Sequence, residues 1–322
     1  MNTRPGLPPE MSGRSFTVHE AQASGIGRSR LNASDLITPT RGIRVPWQAA
    51  MTPAEIVAPV LSLMPDAVAS FTTAGKIWGF PLPLAHEREL AIHVTRPSGT
   101  PGSVRPGIVC HRMRLADAET ACVAGVRVTS RLRTWLDLAS VLSLRELVAV
   151  GDYLVCAHPA DFPRPRAPFL TADQMLTYLD AQRRVRGLPA ARRALTLVRV
   201  GSDSVPETEL RLAIIEAGLP EPTLNHAIRD AAGRAVAWPD QAFVDVRLSL
   251  QYDGEHHRSA EQQASDNWRN RVVADVGWDQ LIVSAADVRS RGWDGVASVV
   301  AQRLRRLEPL RAVGPTGRQL LA

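Results

Sequence analysis

The chain is nearly without lysine. Of its 38 basic residues 37 are arginine, and Lys76 stands alone. Genomic base composition accounts for part of that bias, since Ala, Gly, Pro and Val are also abundant. Aromatic residues make up only 5%. Cysteine is scarce too: Cys110, Cys122 and Cys156 show no metal or redox spacing, which excludes a disulfide scaffold and suits buried thiols in a reducing cytoplasm. No apolar run approaches the roughly 18 residues a membrane helix needs. The opening residues, MNTRPGLPPEMSGRS, are polar and proline-rich with no apolar centre, so they exclude a secretory signal and read as a disordered lead over residues 1–15. What remains is ordinary for a globular protein: 45% hydrophobic and 22% charged residues in 322, enough for two or three domains with real cores. The net charge of +6 fits either a solvated surface or a polyanion partner, nucleic acid first.

Residues 16–50 read as helix, glycine turn, helix and then a hairpin turning at Arg41-Gly42. That order predicts a winged helix-turn-helix, with Arg28, Arg30 and Asn32 on the second helix facing DNA and Arg41 and Arg44 on the wing meeting phosphate. The plainer alternative is a packing or docking module without DNA contact. Residues 51–156 alternate helical and strand patterns and predict a mixed α/β middle domain. Within it Asp137 and Asp152 lie on apolar helices, where pairing with a nearby arginine is the expected role. The proline-rich stretch 157–169 reads as a linker. Residues 181–200 hold six arginines and no acid, either a solvated helical face or a phosphate-tracking stripe. Together, 157–201 form linker and basic helix, 202–308 a last domain, and 309–322 a frayed tail.

The last domain carries the chemistry. Ser204 followed by Glu207, with Pro206 between them, marks a capped helix start. From Ala242 to Tyr252 every second residue is apolar, which predicts one buried sheet face and places Ser249, Gln251 and Asp253 on the other. The run LSLQYDGEHHR then ends in Asp253, Glu255, His256 and His257. Asp240, after Pro239, with Gln251 and Asp253 a strand later, resembles the PD-(D/E)XK nuclease pattern, in which two acids on adjacent strands hold a divalent cation. Hard cations take oxygen ligands and lower the pKa of a bound water.

The segments ETELR, EAGLPEPTLN, PDQAFVDVRLSLQYDGEHHR, DNWR and GWDQLIVSAADV occur in an order similar to a domain of unknown function related to the very-short-patch-repair (Vsr) endonucleases. The resemblance covers about residues 202–305. The N-terminal unit and VTSRLRTWLDLA resemble the regulator domain of AbiEi-type antitoxins. Together these imply an α+β or α/β multidomain protein: winged helix, mixed α/β middle domain, and a restriction-endonuclease-like mixed sheet flanked by helices. The resemblance makes Glu207 the helix acid and Asp240 the first metal carboxylate, with Gln251, Asp253 and His257 or His256 completing the metal and catalytic set. Asp266 and Arg269 match Asp-x-x-Arg, with Arg269 clamping phosphate; Arg211 would support Glu207 from the next helical turn. The implied cofactor is Mg²⁺ or Mn²⁺, and the implied partners are DNA and a toxin or regulatory protein, with no membrane and no small-molecule cofactor.

One residue departs from the pattern. The family has Glu where this chain has Gln251. A unit charge about 4 Å from a cation is worth on the order of 4 kcal/mol per unit of cation charge at an effective dielectric of 20, so its loss weakens metal binding severely. The histidine pair favours Mn²⁺ or Zn²⁺ in partial compensation. Two functions follow: a metal-dependent DNA endonuclease, or an antitoxin-like regulator that binds DNA without cutting it. A purely structural scaffold is the third reading.

Overall fold

A computed structural model describes residues 6–47, 50–99, 105–254 and 271–312, the side chains of 308–312 excepted. It is a mixed α/β protein of two compact units, Met1–Leu147 with Met175–Arg193, and Val148–Gln174 with Ala194–Ala322. Each unit takes two separate stretches of chain.

The first unit begins with a small module. Thr17 caps the helix Val18–Ala23 in a reciprocal box with Glu20. Gly25, at a φ of 83°, turns the chain toward the single-turn helix Arg28–Leu31. Strands Phe16–Thr17 and Leu36–Ile37 then flank Ile43–Pro46 in an antiparallel sheet. The expected disordered lead is corrected in part. Pro9–Ser12 is helical, and Met11, 2% exposed, packs with Phe16, Ala21, Leu31 and Leu36. Leu7 packs against the same small core. Residues 1–5 lie outside the described residues.

The rest of this unit is a five-stranded mixed sheet, ordered Ile108–Arg112, Ile92–Arg96, Val68–Ala69, Val126–Thr129, Thr120–Val123. Helices Pro53–Ser62 and Phe71–Trp78 pack beside it, the second ended by the left-handed Gly79. The helix Arg131–Leu138 is buried on nearly every side. Its Arg133 bonds Asp137 at 2.8 Å and Glu119 at 3.1 Å, and Tyr178 donates to Glu119 at 2.7 Å. Asp137 therefore has the arginine partner expected of it. Burial still pushes its carboxyl up to about 6 against the pull of Arg133.

The second unit centres on a four-stranded sheet ordered Asp279–Ser284, Leu248–Asp253, Gln241–Phe243, Thr223–Leu224. The first pair is parallel and the others antiparallel. Helices Val205–Glu216 and Ala285–Ala312 supply Leu210, Ile214, Val296, Val300 and Leu304 to its core, where Phe243, Leu248, Leu250 and Val283 meet them. The second of these helices breaks at Gly292, whose φ of 65° and ψ of 173° are not helical. It runs through Ala312, so the expected tail from 309 is helical over its first residues; residues 313–322 lie outside the described set.

The alternation from Ala242 to Tyr252 misleads. Residues 244–247 form a turn, and Phe243 pairs with Leu248. Facing residues of an antiparallel pair share a side of the sheet. An odd-numbered residue therefore shares a face with an even-numbered one, and Ala242 lies with Ser249, opposite Leu248 and Leu250. The expected single apolar face is two faces, both buried over these pairs.

Candidate functional site

Glu207 stands in the first turn of Val205–Glu216, where Ser204 is the cap. Its carboxylate folds back on that cap, accepting from Ser204 Oγ at 2.8 Å and from the Asp203 backbone N–H at 2.8 Å. Gln241, fully buried, donates to the Glu207 carbonyl at 2.8 Å and pins the helix start to the neighbouring strand. Asp240 directly precedes that strand. One step beyond the Gln241–Leu250 pair, its carboxylate reaches across to the next strand. Gln251 Nε2 donates to Asp240 Oδ1 at 2.6 Å, and the Tyr252 N–H donates to Oδ2 at 2.7 Å.

The structure thus gathers Glu207, Asp240 and Gln251 at one end of the sheet. Asp253 ends the same strand two residues past Gln251, on the same side by the pleat. Glu255, His256, His257, Asp266 and Arg269 lie outside the described residues.

Electrostatics set the state of this corner. Burial first, and then the charge of Asp240, raise the Glu207 carboxyl to about 8. Two close, half-buried acids do not both ionise readily at neutral pH without a counter-charge. Gln251 eases that conflict: an amide in this place donates to Asp240, whereas a glutamate would bring a third acid to the corner.

A hard divalent cation fits poorly here. Both Asp240 oxygens already accept from the chain, Gln251 turns its N–H to the acid, and Glu207 holds its proton over the neutral range. A cation would have to displace the amide and discharge that proton.

Arg211 does not support Glu207. It is fully buried and bonds Asp152 at 2.8 Å and Glu221 at 3.2 Å. Asp152 also accepts from Thr208 Oγ1 and the Arg199 N–H. One helical turn separates positions 207 and 211, but the longer guanidinium reaches inward to the buried acid rather than along the surface. Asp152 accordingly has the arginine partner expected of it.

The residues expected to face DNA divide into two groups. Arg30 is tied to Asp35 through two bonds of 2.8 and 2.7 Å. Arg44 donates to the Leu31 and Ile43 carbonyls and to Asn32 Oδ1, so Asn32 and Arg44 brace the module. Arg28 and Arg41 are exposed.

Sequence reasoning missed Cys156, His158 and Asp203, whose ligand atoms lie within 4.8 Å of one another. The Cys-x-His spacing was the only signal; Asp203 comes 45 residues after His158. The expectation of buried thiols holds for Cys156, while Cys110 and Cys122 are exposed. The 157–169 stretch is not a bare linker either. His158 and Arg166 form a β-bridge across it, and Phe162 stacks on His158 with ring centroids 4.0 Å apart. Its prolines shape a loop that folds back on itself.

No known family profile matches the chain. It is 28% identical over 227 residues to uncharacterized proteins from two strains of Mycobacterium tuberculosis, CDC 1551 and H37Rv. Each alignment covers 69% of this chain and 76% of the relative. No helix among the described residues is long and apolar enough to cross a membrane.

Proposed function

We propose that this chain is a cytoplasmic DNA-binding protein whose last domain is a Vsr-like PD-(D/E)XK nuclease fold that binds without efficient cleavage. The single observation that carries this reading is the Gln251–Asp240 hydrogen bond of 2.6 Å at the strand ends beside Glu207. The meeting of Glu207, Asp240 and Gln251 supports reading them as the helix acid, the strand acid and the third position of the nuclease pattern, with the third position a neutral donor. The order of helix, four-stranded mixed sheet and helix supports the same lineage. The N-terminal module supports an antitoxin-like winged helix in its element order, and Arg28 and Arg41 are its candidate phosphate contacts.

The nuclease reading is the second one, and the surviving strand acids Asp240 and Asp253 favour it. In that case Mg²⁺ or Mn²⁺ binds only after Gln251 gives way. A toxin or other regulatory protein is the further partner that the antitoxin likeness suggests.

The test is duplex DNA binding by the full chain in EDTA, followed by the same mixture with Mn²⁺. Salt-sensitive binding in EDTA and intact DNA after Mn²⁺ addition are expected. Absence of binding at low salt contradicts the reading, and Mn²⁺-dependent cutting that Asp240→Ala abolishes moves it to the nuclease.

A further inference from the structure

We propose that Cys156, His158 and Asp203 form a site for a thiophilic divalent cation, zinc foremost, beside the Glu207 carboxylate, which accepts from the Asp203 N–H. The separations among the three ligand atoms suit it. Cys156 Sγ is 3.6 Å from His158 Nε2 and 3.3 Å from Asp203 Oδ1, and Nε2 is 2.8 Å from Oδ1. A tetrahedral zinc with Zn–S of about 2.3 Å and Zn–N or Zn–O of about 2.0–2.1 Å holds its ligand atoms roughly 3.3–3.6 Å apart. Two of the three separations already match. The third is a hydrogen bond that opens by about half an ångström as the ion enters, a shift that the part-exposed Asp203 side chain accommodates.

The donor set selects the metal. A thiolate with an imidazole suits zinc and its neighbours, whereas magnesium wants oxygen alone. Two ligands come from one short stretch at the end of the helix Leu144–Val155, and the third from the loop before Val205–Glu216. Bound metal therefore joins the folded 157–169 loop to the start of the helix that carries Glu207.

The imidazole is held in place. Phe162 stacks on the His158 ring with 7° between the planes, and the His158 backbone exchanges hydrogen bonds with Arg166 at 2.9 and 3.4 Å. His158 Nδ1 accepts from Asn225 Nδ2 at 3.3 Å, so in the metal-free chain Nε2 carries the ring proton, turned toward the sulfur and the carboxylate. Metal binding moves that proton to Nδ1 and turns the Asn225 amide away from the Gly201 carbonyl so that its oxygen accepts. Arg166 Nη1 lies 3.8 Å from Asp203 Oδ1 and is the cation that the metal displaces.

Titration of the metal-free full chain with Co²⁺ tests the site. One equivalent is expected to raise a thiolate-to-cobalt charge-transfer band with the d–d intensity of a tetrahedral ion, and added Zn²⁺ should bleach both. Cys156→Ser should lose the charge-transfer band, and Asp203→Asn should weaken binding. Since Cys156 is buried, the variant Cys110→Ser/Cys122→Ser, which changes exposed positions only and leaves Cys156 as the sole thiol, should retain the full band. A folded wild type without the band, a band surviving in Cys156→Ser, or a band lost from Cys110→Ser/Cys122→Ser overturns the proposal.

Discussion

At the scale of single residues, most of the chemistry turns on which acids share a buried corner. Glu207 has a carboxyl raised from the usual range to about 8, so its folded state binds a proton that its unfolded state gives up near the ordinary carboxylate pKa. Stability from this group is fully present below the unfolded pKa and is lost as pH rises through the folded value. The wild type should therefore lose thermal stability from pH 5 to pH 8.5 more steeply than Glu207→Gln, which carries no titrating proton there. Parallel melting curves for the two would contradict the assignment. Arg211 tests the other buried charge. Removing it leaves Asp152 without its main counter-charge, and Arg211→Ala should cost about 3–5 kcal/mol in denaturant unfolding. A loss below about 1 kcal/mol would mean that the remaining donors to Asp152 suffice.

Elements show what was legible in the sequence and what was not. Ser204, Pro206 and Glu207 announced their helix because capping depends on near neighbours alone, and the structure puts the cap where they predicted it. Asp240 and Gln251 were readable as partners because a hairpin brings near sequence neighbours together. The faces of the strand Leu248–Asp253 are readable, since Leu248, Leu250 and Tyr252 alternate with Ser249, Gln251 and Asp253. Those of Gln241–Phe243 are not, because the four turn residues 244–247 shift the parity of the pattern. Arg211 was misassigned because its partner, Asp152, lies 59 positions earlier and only the fold brings them together. Separations of 47 and 45 positions hide Asp203 from Cys156 and His158 in the same way. Composition alone reads residues 9–12 as disordered, yet Met11 is buried in the module's core and Leu7 packs against it. Met11→Ala should accordingly cost about 2–5 kcal/mol of the first module's stability, seen as early loss of helical signal on heating. An unchanged melting curve would return this segment to a loose lead.

For the whole molecule, the positive charge and the corner at Asp240 make separable claims. Binding through phosphate contacts weakens as salt rises, and each contact removed should reduce the slope of log K against log salt by about one. Arg28→Ala and Arg41→Ala should each do so if the first module grips DNA, and an unchanged slope in both would move the contact surface elsewhere. The corner at Asp240 makes the sharper claim, that an amide in the third position keeps the fold and suppresses the chemistry. Its most direct measurement is Mn²⁺-dependent plasmid nicking by wild type, Gln251→Glu and Gln251→Glu/Asp240→Ala. The account predicts nicking by Gln251→Glu alone, with wild type at the level of the double variant. Equal nicking by wild type and Gln251→Glu, or a gain that persists without Asp240, would contradict it.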